Sequence, residues 1–187
     1  MNYKNNLHKE LVELKKILDD QTQEKYKRIN PFSENLIDWK DKAKQWFGED
    51  KNITIYDSTT LVGDIKIGEN TWIGPFCSLD GSGGLKIGKN CSISAGTHIQ
   101  THDAAKWSLS GAKSDYEYKP VKIGNNCFIG VNCVIVAGVS IGTRCLVAAG
   151  SVVTKNFDKS TIVAGVPAKE IGKVLLIEGS IKFEYFK

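Results

Sequence analysis

The sequence predicts an all-β core in the form of a parallel β-helix, preceded by a short helical segment. The first observation is an aliphatic residue at every sixth position, a period that fits neither an α-helix nor a hairpin meander. The second is that this period slips by two residues at the glycine-rich stretch 81–84 and then continues. The aliphatic positions are Ile55, Leu61, Ile67, Ile73, Leu79 and Leu85, then Ile87, Ile93 and Ile99, then Ile123, Ile129, Ile135, Ile141, Val147 and Val153. Since three six-residue units make one triangular coil, we expect a stiff rod with aliphatic ladders inside it.

The third observation concerns two other positions of the repeat. Glycine directly follows the aliphatic residue in six repeats, where a Cβ would be crowded. Four residues after the aliphatic position, where a second side chain points inward, the residue is small. That slot holds Thr71, Cys77, Cys91, Thr97, Cys127, Cys133, Cys145 and Ser151. Because all five cysteines occupy this one slot, we interpret them as reduced, apolar fillers and expect neither a disulfide nor a metal site.

Residues 1–50 have a helical pattern. An apolar stripe at i, i+4, i+7 and i+11 predicts an amphipathic first helix, and Asn30-Pro31 interrupts it. We expect Ser33 to cap a second helix that Gly48 ends. The stripe of the first helix comprises Leu7, Leu11, Leu14 and Leu18, and that of the second comprises Leu36, Trp39, Ala43 and Phe47. This helical pair is expected to pack on the end of the rod and shield its edge.

The rod itself is predicted over residues 51–172. Continuing the six-residue period through the middle of this range would place Ala105, Gly111 and Glu117 at aliphatic positions, where none of them can stack. We therefore expect an external loop at 103–119 that leaves the coil next to His102. A long loop on a rigid scaffold is usually functional. The tail at 173–187 has strand-like and aromatic character.

Composition limits the function classes. The chain has 187 residues, 41% of them hydrophobic, and a formal net charge of +4. Basic runs interleaved with aromatic residues are absent, so we expect no nucleic-acid partner. No apolar stretch approaches the length of a membrane span, and the first sixteen residues are too charged for a signal peptide. We expect a cytoplasmic protein.

The stretch 121–172 carries a resemblance to a known family. Its closing motif runs Ala-Gly-Ser-Val-Val-Thr-Lys at 149–155 and Ala-Gly-Val-Pro-Ala-Lys at 164–169. Residues 52–172 resemble the hexapeptide-repeat acyltransferases, most closely the branch that holds the maltose and galactoside O-acetyltransferases and the polysaccharide-modifying acetyltransferases. This resemblance implies a left-handed parallel β-helix, a homotrimer with sites between neighbouring subunits, and acetyl-CoA as the acyl donor.

The resemblance also implies residues that bind coenzyme A. Small side chains such as those of Val131 and Ala149 let the pantetheine arm approach the backbone. Lys155 and Lys169 match family positions at the phosphate-bearing end of the coenzyme, where cations are needed. Thr154 belongs to the same closing motif. We expect no metal at this site.

His102 is the candidate catalytic residue. It stands where the loop leaves the coil, the setting in which related sugar acetyltransferases place their histidine. Neutral imidazole suits the removal of a proton from the acceptor. Asp103 is a candidate for orienting the ring, with a backbone carbonyl or another carboxylate as alternatives. Trp107 and Tyr116 in the loop, together with Asp103, are candidates for binding the acceptor, and packing of the two aromatic rings against a neighbouring subunit is the alternative.

The function we expect is acetyl-CoA-dependent acetylation of a hydroxyl on a sugar or nucleotide-sugar acceptor, with His102 as general base. An N-acetyltransferase that acts on an amino sugar or a nucleotide-linked amino sugar remains open. A γ-type carbonic anhydrase would use the same coil but needs three histidine ligands, and the coil region holds only His98 and His102. A non-catalytic trimeric spacer would need neither the loop nor the closing motif.

Overall fold

The computed structural model describes residues 2–48 and 51–186. Residues 1, 49, 50 and 187 lie outside this part, and with them the ends of the predicted helical segment 1–50 and of the predicted tail 173–187. Four helices are assigned: α1 (Asn2–Tyr26), α2 (Phe32–Leu36), α3 (Trp39–Phe47) and α4 (Ala105–Leu109). The remaining regular structure is β.

Short parallel strands stacked coil upon coil form the rod. In chain order they are β1 (Thr54–Ile55), β2 (Thr60–Ile67), β3 (Trp72–Ile73), β4 (Ser78–Ile87), β5 (Ser92–Ile93), β6 (His98–Ile99), β7 (His102–Asp103), β8 (Glu117–Tyr118), β9 (Val121–Ile123), β10 (Phe128–Ile129), β11 (Val134–Ile135), β12 (Ser140–Ile141), β13 (Leu146–Val147), β14 (Val152–Val153), β15 (Thr161–Ala164), β16 (Lys169–Ile177) and β17 (Ser180–Tyr185). Except for β7, β8, β16 and β17, these strands belong to the coil. The predicted parallel β-helix is confirmed.

The coil has three faces, each with its own aliphatic ladder. Face A stacks Ile55, Ile73, Ile93, Ile129, Val147 and Val163. Face B stacks Leu61, Leu79, Ile99, Ile135 and Val153. Face C stacks Ile67, Ile87, Ile123, Ile141 and Phe157. All of these side chains except that of Leu61 are buried, which gives the rod one continuous core.

The glycine-rich slip changes the role of Leu85. The six-residue period predicted it as a ladder residue in phase with Leu79. In the structure Leu85 is buried but lies opposite Ile65 and Val121, two positions ahead of the face C ladder. The two extra residues are absorbed within β4, so the ladder resumes at Ile87.

The glycines after the ladder residues are explained by close approach of successive coils. A Cβ on Gly68, Gly124 or Gly130 would lie 2.5–2.6 Å from the backbone of the next coil. Left-handed backbone occurs two residues further on, where Asn70 and Asn90 have φ near 55°. Asparagine tolerates this region better than most side chains. The corners of the coil therefore need glycine for space and asparagine for backbone conformation.

The five cysteines are buried and free. Burial raises the pKa of Cys77 and of Cys133 above the ordinary value of a thiol. The Cys77 thiol donates to the Ser94 carbonyl at 3.2 Å, so it also satisfies a buried backbone acceptor. Both thiols are protonated and inert, consistent with the predicted role of small fillers.

The N-terminal helices differ in part from the prediction. Helix α3 packs against β1 and buries Ala43 in the core cluster. Ser33 lies inside α2, so the predicted cap is wrong: Asp38 caps α3 by accepting from the backbone N–H of Lys40 at 2.7 Å. Gly48 ends α3 as predicted. In the α1 stripe Leu7, Leu11 and Leu14 are exposed and Leu18 is half-buried, so the stripe does not shield the rod.

The C-terminal segment forms an antiparallel hairpin. Strand β16 pairs with β15, which belongs to face A, and β17 pairs with β16 at the edge of the sheet. Gly172 stands in this hairpin, and a Cβ there would lie 2.2 Å from the Glu184 carbonyl oxygen. The hairpin therefore requires glycine at this position.

Candidate active site

His102 lies at the corner of the coil between face B and face C. Its strand β7 follows Ile99 of face B, and the chain returns to the coil at Val121, on the way to Ile123 of face C. The backbone N–H of Lys119 donates to the Thr101 carbonyl at 2.8 Å and closes the base of the loop. The rigid coil thus holds the backbone on both sides of the loop.

The imidazole is held by Asp80 of the preceding coil. The His102 Nδ1 and the Asp80 Oδ2 are 2.7 Å apart. Asp80 Oδ2 also accepts from the Thr101 backbone N–H at 2.8 Å and from the Thr101 hydroxyl at 3.0 Å, while Oδ1 accepts from the Ser82 N–H at 2.9 Å. Only 7% of the Asp80 side chain is exposed, against 34% of the His102 side chain. The carboxylate is buried and fully bonded, and the ring that it holds reaches solvent.

These hydrogen bonds determine the charge of Asp80. Burial pushes its pKa upward, but the bonds from Ser82, Thr101 and His102 favour the carboxylate, and the net pKa lies well below the usual range. An ionised carboxylate accepts hydrogen bonds only, so His102 Nδ1 carries a proton. In the neutral ring Nε2 is then the basic nitrogen, which is the tautomer that a general base requires.

The glycine-rich stretch that interrupts the repeat supports this arrangement. The Gly83 N–H donates to the Thr101 hydroxyl at 2.8 Å, and that hydroxyl in turn donates to Asp80. A Cβ on Gly83 would lie 2.4 Å from the Thr101 carbonyl oxygen. Glycine is therefore required for the close approach of the two coils behind the imidazole. Asp80 is not among the residues predicted from the sequence, where this stretch is only a slip in the period.

The external loop is ordered and covers His102 with aromatic side chains. Strands β7 and β8 pair as an antiparallel stem, and α4 lies beyond them. The Tyr116 ring is parallel to the imidazole, with centroids 6.2 Å apart, and Trp107 meets Tyr116 edge-on at 5.3 Å. The Tyr118 ring is tilted at 6.2 Å from the imidazole. Loop and histidine thus form one partly exposed, aromatic-lined surface.

Charges fix the stem of the loop. Glu117 contacts the ammonium groups of Lys106 and Lys119, the latter at 2.9 Å. These two lysines lower the pKa of Glu117 to about 2. Asp103 accepts from the Ala105 backbone N–H at 2.7 Å and is exposed. The carboxylate that contacts the imidazole is therefore Asp80, and Asp103 shapes the turn into α4.

The residues predicted to bind coenzyme A fall at two different corners. Thr154 and Lys155 follow Val153 of face B, at the same corner as His102 but two coils further along. Val131 and Ala149 lie at the opposite edge of face B, after the face A strands β10 and β13. Lys169 pairs with Ala164 at that second corner. All five residues are exposed.

One chain therefore does not bring the whole predicted set together. A face of the coil spans about six residues, or roughly 20 Å at about 3.3 Å per residue. His102 and Lys155 lie at one edge of face B, while Val131, Ala149 and Lys169 lie at the other. His98 lies between the two edges, exposed on the outside of face B, opposite Ser78 and Val134.

Comparison with known proteins places the chain among acyltransferases. The family model described as the hexapeptide repeat of succinyl-transferase matches residues 64–100 and 120–155. The galactoside O-acetyltransferase of Escherichia coli is 29% identical over 141 residues, which cover 65% of this chain and 68% of that protein. These matches support assignment of the chain to the hexapeptide-repeat acyltransferases. The match covers 22% of the bifunctional protein GlmU of Streptococcus uberis and 57% of the protein CapG of Staphylococcus aureus.

Solved structures agree with this family. AntD, an N-acyltransferase from Bacillus cereus in complex with dTDP and 3-hydroxybutyryl-CoA, is 26% identical with a TM-score of 0.58, over 64% of this chain and 68% of that chain. NeuO, a polySia-specific acetyltransferase, is 25% identical with a TM-score of 0.53, over 64% and 60% of the two chains. The similar proteins thus include both N- and O-acyltransferases.

Across 2–48 and 51–186, no helix is long and apolar enough to cross a membrane. Within the same ranges, no group of three or more histidine, cysteine, aspartate or glutamate side chains is placed to hold a metal ion. The His102 imidazole is hydrogen-bonded through Nδ1 to the Asp80 carboxylate.

Proposed function

We propose that this protein transfers the acetyl group of acetyl-CoA to a hydroxyl of a sugar or sugar-containing acceptor, with His102 as general base. The observation that carries the proposal is the 2.7 Å contact between His102 Nδ1 and the buried Asp80 carboxylate. It fixes the tautomer of a partly exposed imidazole at the foot of an aromatic-lined loop. Burying a carboxylate beside an imidazole in a rigid coil costs free energy, and the pair serves proton transfer directly.

In the proposed reaction, Nε2 of His102 takes the proton of the acceptor hydroxyl while the acceptor oxygen attacks the thioester carbonyl carbon. The tetrahedral intermediate then collapses, the carbon–sulfur bond breaks, and the imidazolium returns its proton to the leaving thiolate. Asp80 stays ionised throughout and stabilises the imidazolium. No further reactant is required, since the acetyl ester and free coenzyme A account for all atoms.

The acceptor is proposed to bind against the loop. Trp107 and Tyr116 present half-exposed aromatic surface within reach of the imidazole, with 39% of each side chain accessible. Aromatic faces stack well on the apolar face of a sugar ring and leave its hydroxyls free for bonding. Asp103 lies at the start of the same loop and is available to accept from a sugar hydroxyl.

The donor is proposed to lie along face B. The exposed surfaces of Val131 and Ala149 give the pantetheine arm access to the coil backbone. Lys155 and Lys169 would meet the phosphates at the end of the rod. Because the two groups of residues occupy opposite edges of one face, we propose a homotrimer in which neighbouring chains complete each site. Free buried thiols and a coenzyme A substrate favour a cytoplasmic location.

The test is an acceptor screen with the purified protein. Acetyl-CoA is supplied with monosaccharides, nucleotide-sugars and oligosaccharides, coenzyme A release is followed with a thiol reagent, and products are read by mass. The proposal expects acceptor-dependent release together with an acetylated sugar. Binding of coenzyme A by calorimetry is measured in parallel. Lack of any coenzyme A binding would contradict the proposal whatever acceptors are tried.

An amine acceptor is the second candidate, supported by the similarity to the N-acyltransferase AntD. His102 serves both chemistries, because a protonated amine also has to lose a proton before it attacks. Matched acceptors that differ only in a hydroxyl or an amine at one carbon separate the two. Resistance of the product to mild alkali marks an amide, and rapid cleavage marks an ester.

A further inference from the structure

Helix α1 carries an apolar seam that its own chain leaves uncovered. Leu7, Leu11 and Leu14 are 39–45% exposed, and Ile17 beside them is 48% exposed. Leu18, at the end of the seam, is half-buried. Most helical stability in proteins comes from tertiary packing of an apolar face. The seam therefore needs a partner.

The base of α1 is anchored on the first coil. The tilted rings of Tyr26 and Trp39 have centroids 5.4 Å apart, and those of Trp39 and Tyr56 are tilted with centroids 5.3 Å apart. The Arg28 guanidinium lies 4.5 Å from the Trp39 ring and donates to the Tyr56 hydroxyl at 2.9 Å. Asn35 of α2 bonds to side chains in the last two turns of α1. The C-terminal end of α1 is thus fixed by contacts with α2, α3 and the first coil, while Leu7, Leu11 and Leu14 stay exposed.

The spacing of the seam is that of a coiled coil. Leu7, Leu11, Leu14 and Leu18 follow steps of four, three and four, the alternation of a and d positions in a heptad. Glu10 and Lys15 then occupy the flanking g and e positions. In a parallel arrangement a g residue faces the e residue five positions later on its neighbour, so Glu10 of one helix meets Lys15 of the next. In an antiparallel arrangement a g position faces a g position, so the pairing of Glu10 with Lys15 is lost.

We propose that the α1 helices of three copies of this chain pack as a parallel bundle along the Leu7–Leu18 seam. Two heptads are too short to associate strongly alone. Anchoring on a shared trimeric rod raises their effective concentration, which makes a short seam sufficient. Ile17 at a g position widens the apolar strip, as a three-helix bundle requires.

Disulfide trapping of the full-length protein tests the seam. The five native cysteines are buried, so a single engineered thiol on α1 reports the contact. Leu14→Cys is expected to form cross-linked dimers on mild oxidation, because d positions face each other. Val12→Cys is the matched control, since Val12 is 55% exposed but lies on the opposite side of the helix. Cross-linking of Val12→Cys equal to or above that of Leu14→Cys would overturn the proposal.

Charge reversal tests the parallel orientation. Glu10→Lys places like charges against Lys15 of the neighbour, and is expected to speed amide exchange in residues 7–18 by several-fold. Glu10→Lys combined with Lys15→Glu is expected to restore the original exchange rate. If the double variant exchanges as fast as the single one, the helices do not pair in this way. These outcomes are independent of catalysis, so they stand apart from the acetyltransferase proposal.

Discussion

Asp80 determines what His102 can do. An asparagine at this position keeps the shape but loses the charge, and its amide group faces donors at Thr101 and His102. We expect Asp80→Asn to lower kcat by on the order of 10²–10⁴, as loss of an orienting carboxylate does elsewhere. Affinity for coenzyme A should not change. A kcat within two-fold of the wild-type value would show that the carboxylate does not act through the imidazole.

The same carboxylate makes stability depend on pH. Because the pKa of Asp80 is lower in the folded protein than the ordinary aspartate value near 3.9, its stabilisation is complete above about pH 4 and is lost as pH falls through the folded value. Asp80→Asn should therefore cost on the order of 1–3 kcal/mol at pH 7. Urea unfolding should show this difference shrinking in acid. A difference that stayed constant from pH 7 to pH 3 would contradict the assignment.

At the residue scale, the histidine was predictable and its partner was not. His102 stands at an evident break in the repeat, which points to it from sequence alone. Asp80 lies 22 residues earlier in the chain. This separation does not indicate a contact with His102 until the register of the coils is known. The register itself depends on how the two extra residues at 81–84 are absorbed, and periodicity does not determine that.

At the element scale, the loop has more structure than the sequence predicted. The period predicted a loop here, because three positions in it do not suit the core. Its stem, α4 and aromatic surface depend on side-chain contacts among Trp107, Tyr116 and the imidazole, which no repeat encodes. The N-terminal helices show the same limit: Ala43 was placed correctly on the rod, whereas the α1 stripe was assigned to a surface that it does not touch.

The loop aromatics give a prediction for acceptor binding. Trp107→Ala and Tyr116→Ala should each raise the acceptor KM by about five-fold, since aromatic stacking contributes on the order of 1 kcal/mol beyond area. The KM for acetyl-CoA should not change. Leu109→Ala is the matched control, because Leu109 is on the same loop and 89% exposed. Equal effects of all three variants would indicate a general loosening of the loop.

At the scale of the whole molecule, the six-residue period was sufficient for the rod, its faces and its core. It gave no information on which corners meet in an assembly. The structure places His102 at one edge of face B and Val131 at the other, so the order of the coils separates residues that the family resemblance groups together.

A mixed-oligomer experiment tests the shared site. His102→Ala disables one edge, and Val131→Trp blocks the other at an exposed position that tolerates size. Chains of the two inactive variants, unfolded together and refolded, should regain about a quarter of wild-type activity if each site uses one edge from each of two neighbours. Homogeneous refolding of either variant is the control. No recovery from demonstrably mixed oligomers would place the whole site in one chain.

The most direct test of the central claim compares two histidines in one assay. His102→Gln and His98→Gln are measured for acetyl-CoA-dependent acylation of the acceptor found by the screen, with coenzyme A affinity determined alongside. We expect His102→Gln to lose on the order of 10²–10⁴ in kcat with unchanged coenzyme A affinity. His98→Gln should keep most of the activity. Full activity in His102→Gln, or loss of activity only in His98→Gln, would contradict the assignment of the general base.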